Sequence, residues 1–409
     1  MKRCFACACV WLLSIGCNSS SDPNSGPINQ GGAAGSAGSP VSQAGGGSAN
    51  VAGGGAAAGG ASGGSGGLVG AAGSTGSAGS PGGAGGAGTA GNPGSAGGAG
   101  AAGMASVAFT CPAGPFPAFT APSGMASKIA GAPPADAFNK DNFTNVEGPV
   151  WIGDSLYFSE MTGNNMIPPA RILKIAPGGV VSVVSTDSGS NGLAVDGSGN
   201  LIAAVHKDGS ISQIALPGGA ATPLISKYGD TRFNSPNDLA IRSDGTIYFS
   251  DPMFQNNANP QKGEHLYRAT PPPARTVSII TDAPSTPNGV TLSPDEKTLY
   301  VSGSGLKKFA VMSDGSLGAG ADFVVGSGGD GMVVDCAGNL FVAGNMGNVV
   351  RVYSAAGALL GTIQAANAGT TTNVAFGGTD HKTLYITAQG NEGQRGVFSI
   401  ALSVPGFPY

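Results

Sequence analysis

Residues 235–252 read SPNDLAIRSDGTIYFSDP, and the pattern is that of one β-hairpin. Leu239 to Ile241 is a short apolar strand. Ser243, Asp244 and Gly245 supply the turn, because Gly tolerates positive φ and Asp bonds its own backbone. Thr246 to Phe249 is a β-branched and aromatic return strand. Asn237 and Asp238 open the hairpin and Asp251 closes it. The strands run antiparallel, so both polar ends belong to one edge of the sheet.

The same unit recurs six times. Its openings are Glu147-Gly-Pro-Val-Trp, Asn191-Gly-Leu-Ala-Val, Asn237-Asp-Leu-Ala-Ile, Asn288-Gly-Val-Thr-Leu, Asp330-Gly-Met-Val-Val and Asn373-Val-Ala-Phe. They are spaced by 44, 46, 51, 42 and 43 residues. Each leads through a polar turn to a second strand, such as Leu201 to Val205 or Leu384 to Ile386. No long 3.6-residue periodicity interrupts them. An all-β repeat of this length predicts a six-bladed β-propeller with about four strands per blade. The last repeat has room for about three strands. A segment within about Lys128 to Thr144 is therefore expected to supply the missing outer strand and close the ring, leaving no free edge.

In a propeller the first strand of each blade lines the central axis. Glu147, Asn191, Asn237, Asn288, Asp330 and Asn373 then form a ring, each bringing a side-chain oxygen. Asn caps turns and strands often enough that any one of them needs no further explanation; six in six does. Carboxylates and amide oxygens without Cys describe a site for a hard cation. Ca²⁺ fits best, with Mg²⁺, Mn²⁺ and Zn²⁺ as alternatives. The second strands end on the same mouth, at Glu160, His206, Asp251, Asn345 and Gln389, which reads as an outer ring able to orient ligands or grip a polar substrate.

Composition bounds the partners. The chain has 409 residues and a net charge of −4, with no basic patch, which argues against nucleic acid. Residues 1–17 resemble an export signal: Lys2 and Arg3, an apolar core around Leu12 and Leu13, then Ser14-Ile-Gly-Cys17. The end resembles a bacterial lipoprotein cleavage box, with Ser14 where Leu is usual; an ordinary secretory signal is the alternative. The apolar run is too short to span a bilayer as a helix. Residues 18–107 are almost all Gly, Ala, Ser and Pro, without an aromatic residue. Such a stretch cannot bury enough surface to offset chain entropy and is expected to be a disordered linker. Residues 108–409 are left as the propeller domain. The expected location is extracytoplasmic, lipid-anchored to a bacterial outer membrane or cell surface, or secreted. Of six Cys, Cys111 and Cys336 remain after the signal and a lipidated Cys17. In an oxidising compartment they are expected to pair, unless they are two unrelated thiols.

EGPVW, SPNDLAIRSDGTIYFSDP, PNGVTLSPDEKTLYVS, DGMVVDCAGNLFVA and TNVAFGGTDHKTLYIT together resemble the SMP-30/gluconolactonase/LRE-like family, closest to its bacterial gluconolactonase branch. The resemblance covers about Phe143 to Ile400. It implies a six-bladed propeller with one divalent metal in the channel and hydrolysis of a lactone. The metal ligands it implies are Glu147, Asn237, Asn288 and Asp330, with Asp330 also the candidate acid/base. It further implies a substrate-contacting Arg near the third repeat, for which Arg232 is the nearest candidate. Asn191, Asp238, Asp251 and Asn373 are left to the substrate.

The expected chemistry is metal-assisted opening of a sugar lactone by water. His206 competes with Asp330 as base, since an ordinary imidazole suits neutral pH. No G-x-S-x-G elbow follows a strand, so no serine nucleophile is indicated. The protein is expected to act as a monomer on a small molecule. The rival is a non-catalytic extracytoplasmic propeller that binds glycan or protein, with a structural metal.

Overall fold

The computed structural model describes residues 109–129, 143–161, 170–256, 258–344 and 347–407. The expected signal and linker, residues 1–17 and 18–107, lie outside the described residues. The hairpin that opens the repeat argument forms as its sequence requires. Leu239 pairs with Phe249 and Ile241 with Ile247. Gly245 sits at φ 88°, and the Asp244 carboxylate accepts the Thr246 amide at 2.8 Å. This is the Asp-Gly turn chemistry the sequence calls for.

Six four-stranded antiparallel sheets follow one another around the axis. Their innermost strands are Asn145–Ile152, Ser190–Val195, Leu239–Ile241, Val290–Leu292, Met332–Val334 and Thr370–Gly377. They define blades 1 to 6 in chain order. The sixth blade is completed by Ser127–Lys128, which pairs with Gly396–Ala401 through Ser127 opposite Ser399. The closing strand therefore begins one residue earlier than the sequence suggests and is only two residues long. Residues 130–142 lie outside the described residues. A further short hairpin, Lys227–Tyr228 with Thr231–Arg232, precedes the third blade and carries no pattern that announced it.

The core lies between blades. Alternate residues of each strand face opposite neighbours, which is the period-2 geometry of a strand buried on both faces. Ile202 and Ala204 pack toward blade 3 with Phe233 and Phe249. Leu201, Ala203 and Val205 pack toward blade 1 with Val150 and Ile172. Tyr248 and Leu266 meet Val290 and Phe309 between blades 3 and 4.

The N-terminal segment is strapped onto blades 5 and 6. Phe119 meets Phe341 edge-on at 5.8 Å, and the Ala126 amide donates to the Gln364 carbonyl at 2.7 Å. Cys111 and Cys336 are disulfide-bonded, with Cα atoms 5.5 Å apart. The bridge ties the strap to the turn that follows the inner strand of blade 5, at the end of that strand away from Asp330.

Candidate metal centre

Each inner strand delivers its opening residue to the axis, and the backbones there approach without slack. A Cβ on Gly148 would lie 2.3 Å from the Asn191 carbonyl oxygen, and one on Gly331 would lie 1.9 Å from Asn373 Cγ. This is why Gly follows the opening residue in blades 1, 2, 4 and 5. Blade 6 has Val374 there, and blade 3 departs further. Asp238 stands at the glycine position and turns a third carboxylate inward, where Oδ1 accepts the Leu239 amide at 2.9 Å and Oδ2 the Val290 amide at 3.2 Å.

The ring is electrostatically tense. Burial pushes the Glu147 carboxyl well above its ordinary range, and the nearby Asp330 and Asp238 carboxylates push it further. Burial and Asp238 likewise raise Asp330, against a hydrogen bond from Asn288. Asp238 is raised to about 7, chiefly by burial, although the Leu239 and Val290 amides and Asn373 oppose this. Among the described residues no Lys, Arg or His pairs with any of these three carboxylates. Asn237, Asn191 and Asn373 are buried, whereas Asn288 and Asp330 are half-buried. Beneath the ring lies a void of about 20 Å³, lined in part by Pro149, Leu193, Asp238, Met332 and Asn373. That is room for one water-sized particle.

These residues fit a hard cation. Carboxylates that repel each other in a dry channel are stabilised by a positive charge between them. Among the described residues no three Asp, Glu, His or Cys side chains form a cage by themselves; the oxygens beside these carboxylates are those of the ring amides. The sequence assigned Glu147, Asn237, Asn288 and Asp330 in that mixture and gave Asp238 to substrate. The structure places Asp238 inside the same charge cluster.

The outer residues are placed differently from their reading as a substrate-gripping ring. Both carboxylate oxygens of Glu160 are engaged, Oε1 by the Thr144 amide at 2.8 Å and Oε2 by Arg171 Nε at 2.6 Å. Asp251 accepts the Asn234 and Ser235 amides at 2.9 and 2.8 Å, and burial raises it to about 7. Thr144 and Asn234 each lie three residues before a ring residue, Glu147 and Asn237. Glu160 and Asp251 thus serve as anchors for the chain entering the inner strand. Arg232 donates to the carbonyls of Phe233, Lys207, His206 and Asn234, which braces a loop between blades 2 and 3. His206 is buried at the end of Leu201–Val205, neither ring nitrogen has a partner among the described residues, and burial pushes its imidazole down to about 4. Gln389 is half-buried, and Asn345 lies outside the described residues.

A family model described as the SMP-30/Gluconolactonase/LRE-like region matches residues 146–390. The chain belongs to the SMP-30/gluconolactonase/LRE-like family. It is 30% identical over 276 residues to a gluconolactonase of Zymomonas mobilis, covering 60% of this chain and 76% of that one. A solved structure of a gluconolactonase from Xanthomonas campestris aligns with a TM-score of 0.55 and 31% identity, covering 64% of this chain and 87% of the other. A calcium-binding regucalcin from Agrobacterium tumefaciens shares the fold at a TM-score of 0.54 and 19% identity, over 64% of this chain and 92% of its own. The family match spans all six openings of the repeat, so the ring lies inside the family region.

Proposed function

We propose that this chain is a divalent-metal-dependent lactonase that opens a sugar lactone of the gluconolactone type in the propeller channel. The observation that carries this reading is the Glu147–Asp330–Asp238 charge cluster, with Glu147 and Asp238 buried and Asp330 half-buried, flanked by amides and without a basic partner among the described residues. The family's gluconolactonases supply the reaction class.

Glu147, Asn237, Asn288 and Asp330 would hold the cation, with Ca²⁺ the best match to all-oxygen ligands. When bound, the cation supplies Lewis-acid polarisation of the lactone carbonyl. Asp330 takes the proton of the attacking water on its carboxylate and returns it to the leaving alkoxide. Its raised proton affinity links deprotonation to cation uptake. His206 is a poor base by comparison, because burial keeps it neutral and its proton affinity low. Asn191 and Asn373 lie in the ring beside this centre and are assigned to substrate hydroxyls.

The reading includes export by residues 1–17, anchoring through lipidated Cys17, a tether of residues 18–107 and action as a monomer outside the cytoplasm. A pH-stat screen of the full-length protein over aldonolactones, acyl-homoserine lactones and aryl esters, with and without chelator, tests the activity. Hydrolysis of an aldonolactone that disappears with chelator supports it. Cation binding without hydrolysis of any ester in the set overturns it in favour of a binding propeller.

A further inference from the structure

Two serines on second strands occupy a place that the metal reading does not use. Ser250 Oγ accepts the Asp238 amide at 3.1 Å and donates to the Asn288 carbonyl at 2.6 Å. Ser302 Oγ accepts the Gly289 amide at 2.8 Å and donates to the Asp330 carbonyl at 2.6 Å. Each hydroxyl therefore joins the residue after one ring position to the backbone of the next ring position, one blade further on. Asn237, Asn288 and Asp330 are strung in series by these two atoms. Both serines are fully buried.

Elsewhere the same join is made differently. Blades 2 and 5 have Ala204 and Ala343 at the equivalent strand position. There the backbone closes directly, with the Gly192 amide on the Asn237 carbonyl at 2.7 Å and the Gly331 amide on the Thr372 carbonyl at 2.8 Å. In blade 6 the position is Thr387, whose hydroxyl lies 2.9 Å from Thr372 Oγ1, and this in turn donates to the Val146 carbonyl at 2.7 Å. In blade 1 it is Ser159, which meets Ser190 Oγ at 2.7 Å. The hydroxyls that bridge onto Asn288 and Asp330 are thus a local choice, made in blades 3 and 4 and joining the backbone at three of the four assigned ligands.

We infer that Ser250 and Ser302 are positioning residues for the channel site, setting where Asn288 and Asp330 present their oxygens to the cation. The inference rests on the metal reading above. Removing either hydroxyl leaves a buried amide and a buried carbonyl without their shared partner, and the strand relaxes where a ligand begins. Partners one shell out from a metal commonly alter its affinity about 10–100-fold. A serine that only held two blades together would lower stability and leave cation affinity alone.

The test is calorimetric titration of Ca²⁺ into the chelator-stripped full-length protein, alongside its unfolding midpoint in denaturant. The variants are Ser302→Ala, Ser250→Ala, Ser302→Thr and Ser159→Ala. The expected result is about 10–100-fold weaker Ca²⁺ binding for the first two. Ser302→Thr, which keeps the hydroxyl as Thr387 does in blade 6, recovers most of the affinity. Ser159→Ala loses a bond of the same chemistry between blades 1 and 2, and lowers the midpoint without moving the Ca²⁺ affinity. Should Ser302→Ala fail to fold, Ser250→Ala carries the comparison one blade earlier. Equal Ca²⁺ affinity in wild type, Ser250→Ala and Ser302→Ala overturns the positioning role and leaves the metal reading intact. Absence of Ca²⁺ binding in the wild type, repeated with Mg²⁺, Mn²⁺ and Zn²⁺, overturns both.

Discussion

Arg171 Nε donates to Glu160 Oε2 at 2.6 Å, in a pair whose side chains are 1% and 0% exposed. The other oxygen of Glu160 holds the Thr144 amide, three residues before Glu147. One carboxylate therefore neutralises a buried guanidinium and fixes the entry of the strand that carries a ring residue. Removing the charge of one partner of a buried pair costs up to about 3–5 kcal/mol. Glu160→Gln should destabilise the protein by that order. Denaturant unfolding measures it, and a loss under about 1 kcal/mol would mean that Arg171 is held by other groups.

His206 gives a pH prediction with a definite sign. Its folded-state value is lowered to about 4 from 6.5. Between those limits the unfolded chain binds the proton and the folded chain does not, so stability falls as pH drops from 6.5 toward 4. The contribution is on the order of 3 kcal/mol in full. His206→Phe removes it, along with two nitrogens that have no partner. The difference in unfolding free energy between wild type and variant should grow in the variant's favour from pH 7 to pH 4.5. A constant difference would show that His206 is solvated or paired.

Gly331→Ala tests the packing of the ring. The added Cβ would meet Asn373 Cγ at 1.9 Å, so blades 5 and 6 must separate or Asn373 must leave its place. Overpacking of this kind costs about 1–3 kcal/mol or more. The same variant should weaken Ca²⁺ binding, read by calorimetry. Gly153→Ala, where no atom lies within 4 Å of the added Cβ, is the control; it carries only the cost of a positive φ. Equal effects of the two substitutions would contradict the close approach.

Cys336→Ser opens the Cys111–Cys336 bridge, which spans 225 residues. Loop entropy sets an upper bound of about 5 kcal/mol on the loss. The bridge lies past the far end of the Met332–Val334 strand from Asp330, so lactone turnover at a temperature where the variant is folded should be unchanged. Peptide mapping of the non-reduced protein should recover the linked pair; two alkylatable thiols would contradict it.

The hairpin repeat made the fold legible, because Asn/Asp–Gly openings, apolar triplets and Asp-Gly turns each have a local physical cause. The ring was legible only in part: Asn237, Asn288 and Asp330 share one register position, whereas the Asn373 carbonyl accepts from Thr387 as those of Asp238 and Gly289 accept from Ser250 and Ser302, which puts Asn373 one position further on. The closing strand was expected within about Lys128 to Thr144 and lies at the very start of that range, at Ser127–Lys128, because two residues carry no periodicity that would fix it more closely. Glu160 and Asp251 were read as channel groups because a carboxylate at a strand end looks the same whether it faces solvent or its own chain's amides. Asp238 was assigned to substrate because nothing in a single sequence says that the glycine position of a repeat points at the axis. Ser250 and Ser302 were given no role in holding the ring; an alternating strand serine ordinarily marks a solvated face, and only the packing of six blades turns it inward.

The most direct test is kcat for aldonolactone hydrolysis against Ca²⁺ concentration, in chelator-stripped wild type, Glu147→Gln and Asp330→Asn. Glu147→Gln keeps the oxygen and removes a charge, so it should need far more Ca²⁺ and then recover turnover. Asp330→Asn should bind Ca²⁺ weakly and stay inactive at saturation, having lost ligand and base together. Full turnover in the stripped wild type, or full recovery of Asp330→Asn at saturating Ca²⁺, would contradict the account.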